Sequence, residues 1–113
     1  MIKIKRVYWE YDPKDGKRIL IDRLWPRGLS KDKARIDLWL KDIAPTAELR
    51  QWFGHDPGKW PEFQKRYESE LDANKESVET LRNQLEDGPA TLVYGAKDEQ
   101  HNDAVVLAEY LEK

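Results

Sequence analysis

The chain has 113 residues, with 20 Lys and Arg against 22 Asp and Glu for a net charge of −2, and no cysteine. That length fits one domain spanning residues 1–113. The missing cysteines exclude disulfides, thiolate metal sites and a cysteine nucleophile, and make a reducing, cytoplasmic setting the expectation. The near balance of charge excludes a polycation built to coat nucleic acid. Charged residues reach 37%, well above the roughly 25% of ordinary soluble domains, but five Trp and five Tyr supply the bulk of a packed core rather than a disordered tail.

No apolar run of about 18 residues occurs, so no transmembrane helix and no membrane partner are expected. The opening Ile2-Lys3-Ile4-Lys5-Arg6-Val7 alternates apolar with basic residues, which predicts a strand and not a signal peptide. A second strand is predicted over Arg18–Leu24. The intervening Asp12-Pro13-Lys14-Asp15-Gly16 carries turn chemistry, so the two strands are expected to pair as an antiparallel hairpin. Ser30 caps a short helical turn reaching Arg35, and 36–40 reads either as a strand or as an apolar helical end, with a short strand favoured.

Thr46, with Glu48 in the first turn, predicts a helix that Gly54 ends. Trp60-Pro61 starts another, with Phe63, Tyr67, Leu71, Val78, Leu81 and Leu85 along one stripe. Unbroken from 61 to 86 it would reach about 39 Å, longer than such a domain needs, so a break near 72–74 is expected. Asp87-Gly88-Pro89 stops it, Ala90–Tyr94 is the best buried strand, and Asn102 or Asp103 caps a last helix with Ala104, Leu107, Ala108 and Leu111 inward. The pattern predicts an α/β fold, a small sheet, mixed or largely parallel, with helices packed around it.

Two predicted strands run into charged loops, Asp22-Arg23-Leu24-Trp25-Pro26-Arg27-Gly28 and Gly95-Ala96-Lys97-Asp98. If those strands are parallel, both loops open at the carboxyl edge of the sheet, where ligands of open α/β sheets bind. Arg23 and Arg27 are rigid guanidinium forks matched to phosphate or carboxylate, Trp25 offers a stacking face, and Lys97 and the start of the last helix add positive potential. Asp22, Asp98 and His101 are the candidates for proton transfer; Arg23, Trp25, Arg27, Tyr94, Lys97 and Asn102 are the candidates for ligand contact. The same Asp and Arg set reads equally as a structural ion-pair network. His55 lies in a Gly-His-Asp-Pro turn and reads as solvated or capping. No metal-ligand spacing, Rossmann fingerprint, P-loop or nucleophile elbow is present, so neither a metal nor a cofactor is expected.

The heptapeptide Asp22–Gly28, then Leu49-Arg50-Gln51-Trp52-Phe53, then Tyr94-Gly95-Ala96-Lys97-Asp98 followed by His101-Asn102-Asp103-Ala104, resembles the YeaO-like family of proteins, domain of unknown function 488, over nearly the entire chain. The resemblance implies a small bacterial or archaeal cytosolic α/β protein and brings no established reaction. Gly95 stands where the family is associated with a small alanine or serine. Three readings of function follow: a domain, catalytic or not, holding a small anionic ligand that is phosphate-bearing or nucleotide-like; a nucleic-acid-binding or regulatory module, disfavoured by the net charge; and an interaction domain whose motif only builds the fold.

Overall fold

The computed structural model describes residues 2–113. Four strands, β1 (Lys3–Arg6), β2 (Lys17–Leu20), β3 (Leu38–Trp39) and β4 (Ala90–Tyr94), form one sheet in the order β1-β4-β2-β3, and every pair is parallel. Parallel neighbours cannot be joined by tight turns, so helices fill the connections. These are α1 (Lys31–Ala34), α2 (Ala47–Phe53), α3 (Trp60–Asp72), α4 (Lys75–Glu86) and α5 (Asp103–Leu111). No described helix is long and apolar enough to cross a membrane.

β1 and β2 are not a hairpin, because β4 lies between them in register with both. The turn chemistry is real but does a different job: Asp12 caps a single 3-10 turn, Pro13–Asp15, through a reciprocal pair of hydrogen bonds with Asp15. Gly16 then adopts φ +66°, and a Cβ there would sit 2.3 Å from the Pro89 carbonyl oxygen. Only glycine lets the two chains pass that closely, and the Lys17 N–H donates to the same carbonyl at 2.9 Å as β4 enters beside β2.

Alternation along β2 and β4 sorts the core to two faces. Ile19, Ile21, Leu92 and Tyr94 face a large cluster with Phe53, Phe63, Tyr67, Leu81 and Leu107 from the helices. Leu20 and Val93 face a smaller one with Val7 and Ala34, closed by Trp25 and Trp39 packed edge to face at 5.5 Å. The long helical stretch breaks at Ala73–Asn74 as its length required, and the resulting α3 and α4 bury Phe63, Tyr67 and Leu71, then Val78 and Leu81. α5 buries Ala104, Leu107, Ala108 and Leu111.

On the smaller face lies Arg18, 1% exposed. Its guanidinium donates to Asp15 Oδ2 at 2.6 Å and to the Ala34 and Arg35 carbonyls at 3.0 and 3.1 Å, tying β2 to the 3-10 turn and to the end of α1. Burial works against the Asp15 carboxylate, but hydrogen bonds from Lys5 and Arg18 outweigh it and hold the group below its ordinary range. Removing Arg18 leaves Asp15 with Lys5 as its one ion-pair partner among the described residues and takes the donor from the buried Ala34 carbonyl and from the Arg35 carbonyl. Arg18→Met is therefore expected to cost about 3 kcal/mol or more in urea denaturation, and a loss under about 1 kcal/mol would show that the pair contributes little.

Candidate functional site

The loops at the carboxyl ends of all four strands meet around one cleft of about 320 Å³, within the range of small-ligand sites. After β2 the chain heads for β3, whereas after β4 it heads for α5, which packs against β1 and β4. The two connections diverge, and the opening between them is where an open parallel sheet exposes a crevice.

Side chains of the heptapeptide and its neighbours pin the rim. The Tyr8 hydroxyl donates to the Arg27 carbonyl at 2.7 Å, the Trp25 indole to the Leu29 carbonyl at 2.8 Å, and the Trp39 indole to the Asp22 carbonyl at 2.7 Å. Gly28 turns the chain with φ +80°. Arg23 donates to the Pro45 and Ala44 carbonyls at 3.2 and 3.3 Å, and its remaining N–H groups meet no acceptor among the described residues. Arg27 and Arg50 line the same opening with exposed side chains. Among the described residues none of these three guanidiniums forms a salt bridge.

The floor carries the opposite sign. Asp22 and Asp103 both line it, close enough for each carboxyl to shift the titration of the other. Asp22 Oδ2 also accepts the Gly95 N–H at 2.8 Å. Burial pushes the Asp22 carboxyl up, against the pull of Asp103, the Gly95 N–H and the charges of Arg50 and His55. Burial and then the Asp22 charge push Asp103 well above the usual carboxylate range, against the N–H groups at the start of α5. Each acid opposes the ionisation of the other, so the two titrate as a pair.

Of the residues expected from sequence, Asp22, Arg23, Trp25, Arg27, His101 and Asn102 come together here. Asn102 is 3% exposed and caps α5, its Oδ1 accepting the Val105 N–H at 3.0 Å while its Nδ2 donates to the Asp98 carbonyl at 2.9 Å. Asp98 lies off the lining, where its carboxylate takes the Gln100 and His101 N–H groups and pairs with His101 Nδ1 at 2.9 Å. The Gln100 N–H and the His101 side chain lower it. The His101 ring meets the edge of Trp60 at 5.1 Å. Tyr94 is buried in the core beneath the lining, and Lys97 is exposed outside it.

Asp103 and Arg50 are cleft residues that sequence reasoning did not single out, and His55, read there as solvated or capping, also lines the cleft. Among the described residues, no group of three or more His, Asp or Glu is arranged to hold a metal ion.

The sequence model of a family described as the inactive DUF488-N3 subclade matches residues 1–113. The chain belongs to that subclade. Among its relatives, uncharacterized protein YeaO of Escherichia coli is 40% identical over 110 residues, 97% of this chain and 96% of that protein. Uncharacterized protein Rv3073c of Mycobacterium tuberculosis is also 40% identical over 110 residues, 97% of this chain and 92% of its own length. These matches bear out the YeaO-like resemblance of the sequence. No solved structure matches the chain. In this member of the subclade Gly95 lies against the carboxyl pair: a Cβ there would meet Asp22 Oδ2 at 3.2 Å, a tight contact.

Because both floor carboxyls are raised, the folded protein keeps a proton that the unfolded chain has released above about pH 4. Their contribution to stability is present in full below that pH and is lost as pH rises through the folded values. Asp103→Asn removes the like-charge conflict and is expected to melt at an equal or higher temperature than the parent at pH 8, with a flatter dependence on pH from 4 to 9. Parallel melting curves across that range would contradict the paired titration.

Proposed function

We propose that this domain binds a small anionic ligand, phosphate-bearing or nucleotide-like, in the cleft between the Asp22–Gly28 loop and the loop that precedes α5. The observation that carries this reading is the convergence of Arg23, Arg27 and Arg50 on one opening without a salt-bridge partner among the described residues. Arg18 is consumed by a carboxylate and two carbonyls, whereas among the described residues Arg27 and Arg50 have no such partner and Arg23 meets only the Pro45 and Ala44 carbonyls. Free guanidinium forks at a crevice suit phosphate or carboxylate oxygens.

Binding without turnover fits better than catalysis. The subclade carries the description inactive. The Asp98–His101 pair has the outline of an acid–base couple, yet Asp98 also serves two backbone N–H groups and stands off the lining. Asp22 and Asp103 are the groups on the lining that hold a proton near the floor.

A nucleic-acid reading draws on a different observation. Tyr8, Trp9 and Tyr11 are exposed along one segment, with Arg6 over the Tyr8 ring at 4.8 Å and Arg35 over Tyr11 at 4.4 Å. Such aromatic and arginine surfaces suit stacked bases, and binding of that kind falls steeply with salt.

Thermal melts against inorganic phosphate, pyrophosphate, AMP and a short single-stranded oligonucleotide separate these readings. A small phosphate compound at 100 times its dissociation constant is expected to add about 2.7 kcal/mol. Arg27→Ala is expected to abolish that gain while leaving the unliganded protein within about 0.5 kcal/mol of the parent, since the side chain is exposed and unpaired. A variant that binds normally, or one that is strongly destabilised without ligand, overturns the proposal.

A further inference from the structure

Resting on that reading, we infer that the cleft takes a phosphorylated vicinal diol, with the phosphate among the rim guanidiniums and the two hydroxyls on the Asp22 and Asp103 carboxyls. The cleft is bipolar. Arg27 and Arg50 stand at the opening, whereas the floor is a carboxyl pair, so an anionic group is drawn to the rim and repelled from the floor. Whatever reaches the floor is the neutral or cationic end of the same molecule.

The hydrogen-bonding inventory of the floor narrows its chemistry. Two carboxyls lining one floor offer several acceptor lone pairs, and an O–H donor where one of them is protonated. One oxygen, Asp22 Oδ2, is already supplied by the Gly95 N–H at 2.8 Å. Neither carboxylate forms a salt bridge among the described residues. The remaining demand is for donors that also accept, which describes adjacent hydroxyl groups. A keto or ester oxygen would only accept, and would leave the acceptors of the floor unmet.

The walls fit a short carbon skeleton between the two poles. Phe53, Phe63 and Ala96 supply apolar surface beside the floor, and Leu24, Trp25 and Pro26 supply it beside the rim. A volume of about 320 Å³ accommodates a pentose phosphate, and the opening admits a larger group attached to it. The same chemistry occurs in a free sugar phosphate and in the ribose phosphate of a nucleotide.

Titration calorimetry on the full chain at pH 7 tests this with inorganic phosphate, ribose 5-phosphate, 2-deoxyribose 5-phosphate, O-phosphoethanolamine and AMP. Ribose 5-phosphate is expected to bind at least tenfold more tightly than either inorganic phosphate or the 2-deoxy sugar. In Asp103→Ala that advantage is expected to vanish while inorganic phosphate still binds. The comparison of the two sugars on the parent protein stands even if that variant fails to fold. An AMP affinity above that of ribose 5-phosphate identifies a nucleotide as the source, and an equal one identifies the free sugar phosphate. Equal binding of phosphate and both sugars overturns the diol and leaves the anion-binding proposal standing. Tightest binding of O-phosphoethanolamine shows that the floor takes an ammonium group, which also overturns the diol. No binding of phosphate or of any phosphate ester removes both proposals together.

Discussion

The placement of β4 between β1 and β2 is the constraint on which the rest of the structure depends. Leu92 and Val93 are fully buried and face opposite sides of the sheet, so β4 needs a strand on each edge and cover on each face. Its neighbours are parallel to it, which obliges the chain to spend α2, α3 and α4 on the return from β3. The same arrangement sets the loops after β2 and β4 side by side. Asp22 follows one of these strands and Gly95 the other, and the hydrogen bond between them ties the two loops at the floor of the cleft.

The two ends of the sheet handle charge in opposite ways. At the amino end, Asp15 is matched by Lys5 and Arg18, and among the described residues no buried side-chain polar atom lacks a partner. At the carboxyl end, two acids face each other while three guanidiniums stay free of carboxylates. The first arrangement favours the fold. The second works against it at neutral pH, since burial and mutual repulsion oppose ionisation of both acids. A protein that satisfies its polar groups at one end and leaves them in conflict at the other concentrates its local inconsistency where function is expected.

What was legible in the sequence divides along the same line between local and distant information. Helix caps were readable because they are short-range: Ser30, Thr46 and Asn102 each accept the N–H three residues on, and Gly54 ends α2 in the left-handed conformation. The break between α3 and α4 and the inward face of α5 were readable from length and period, whereas period alone left 36–40, which holds β3, open between strand and helix. The hairpin was misread because turn chemistry at Asp12–Gly16 says that the chain bends and says nothing of which strand will later intervene. Within the cleft, the Asp22–Gly28 loop stood out by its own density of charge, Pro and Gly. Asp103 was hidden by its neighbour: with Asn102 as the cap, Asp103 occupies the first helical turn and reads as a favourable dipole partner. Arg50 sits in the Leu49–Phe53 segment already noted for its resemblance, and only the packing of α2 against α3 brings it to the rim. His55, with φ +58°, was read as a turn residue, and its turn is what carries it to the lining.

The cleft draws its two poles from segments far apart in the chain. The rim arginines come from the loop after β2 and from α2, and the floor acids from that loop and from α5. A ligand that bridged rim and floor would therefore cross-link three elements that otherwise meet through apolar contacts and a few hydrogen bonds. Its binding energy would add to the stability of the folded state and to no other, since the unfolded chain assembles neither pole. It would also offset the like-charge conflict at the floor by satisfying the acids with hydroxyl donors. For a domain whose subclade is described as inactive, such a ligand would couple occupancy of the cleft to the stability of the fold, with α2 and α5 among the elements it ties together and without any bond being made or broken.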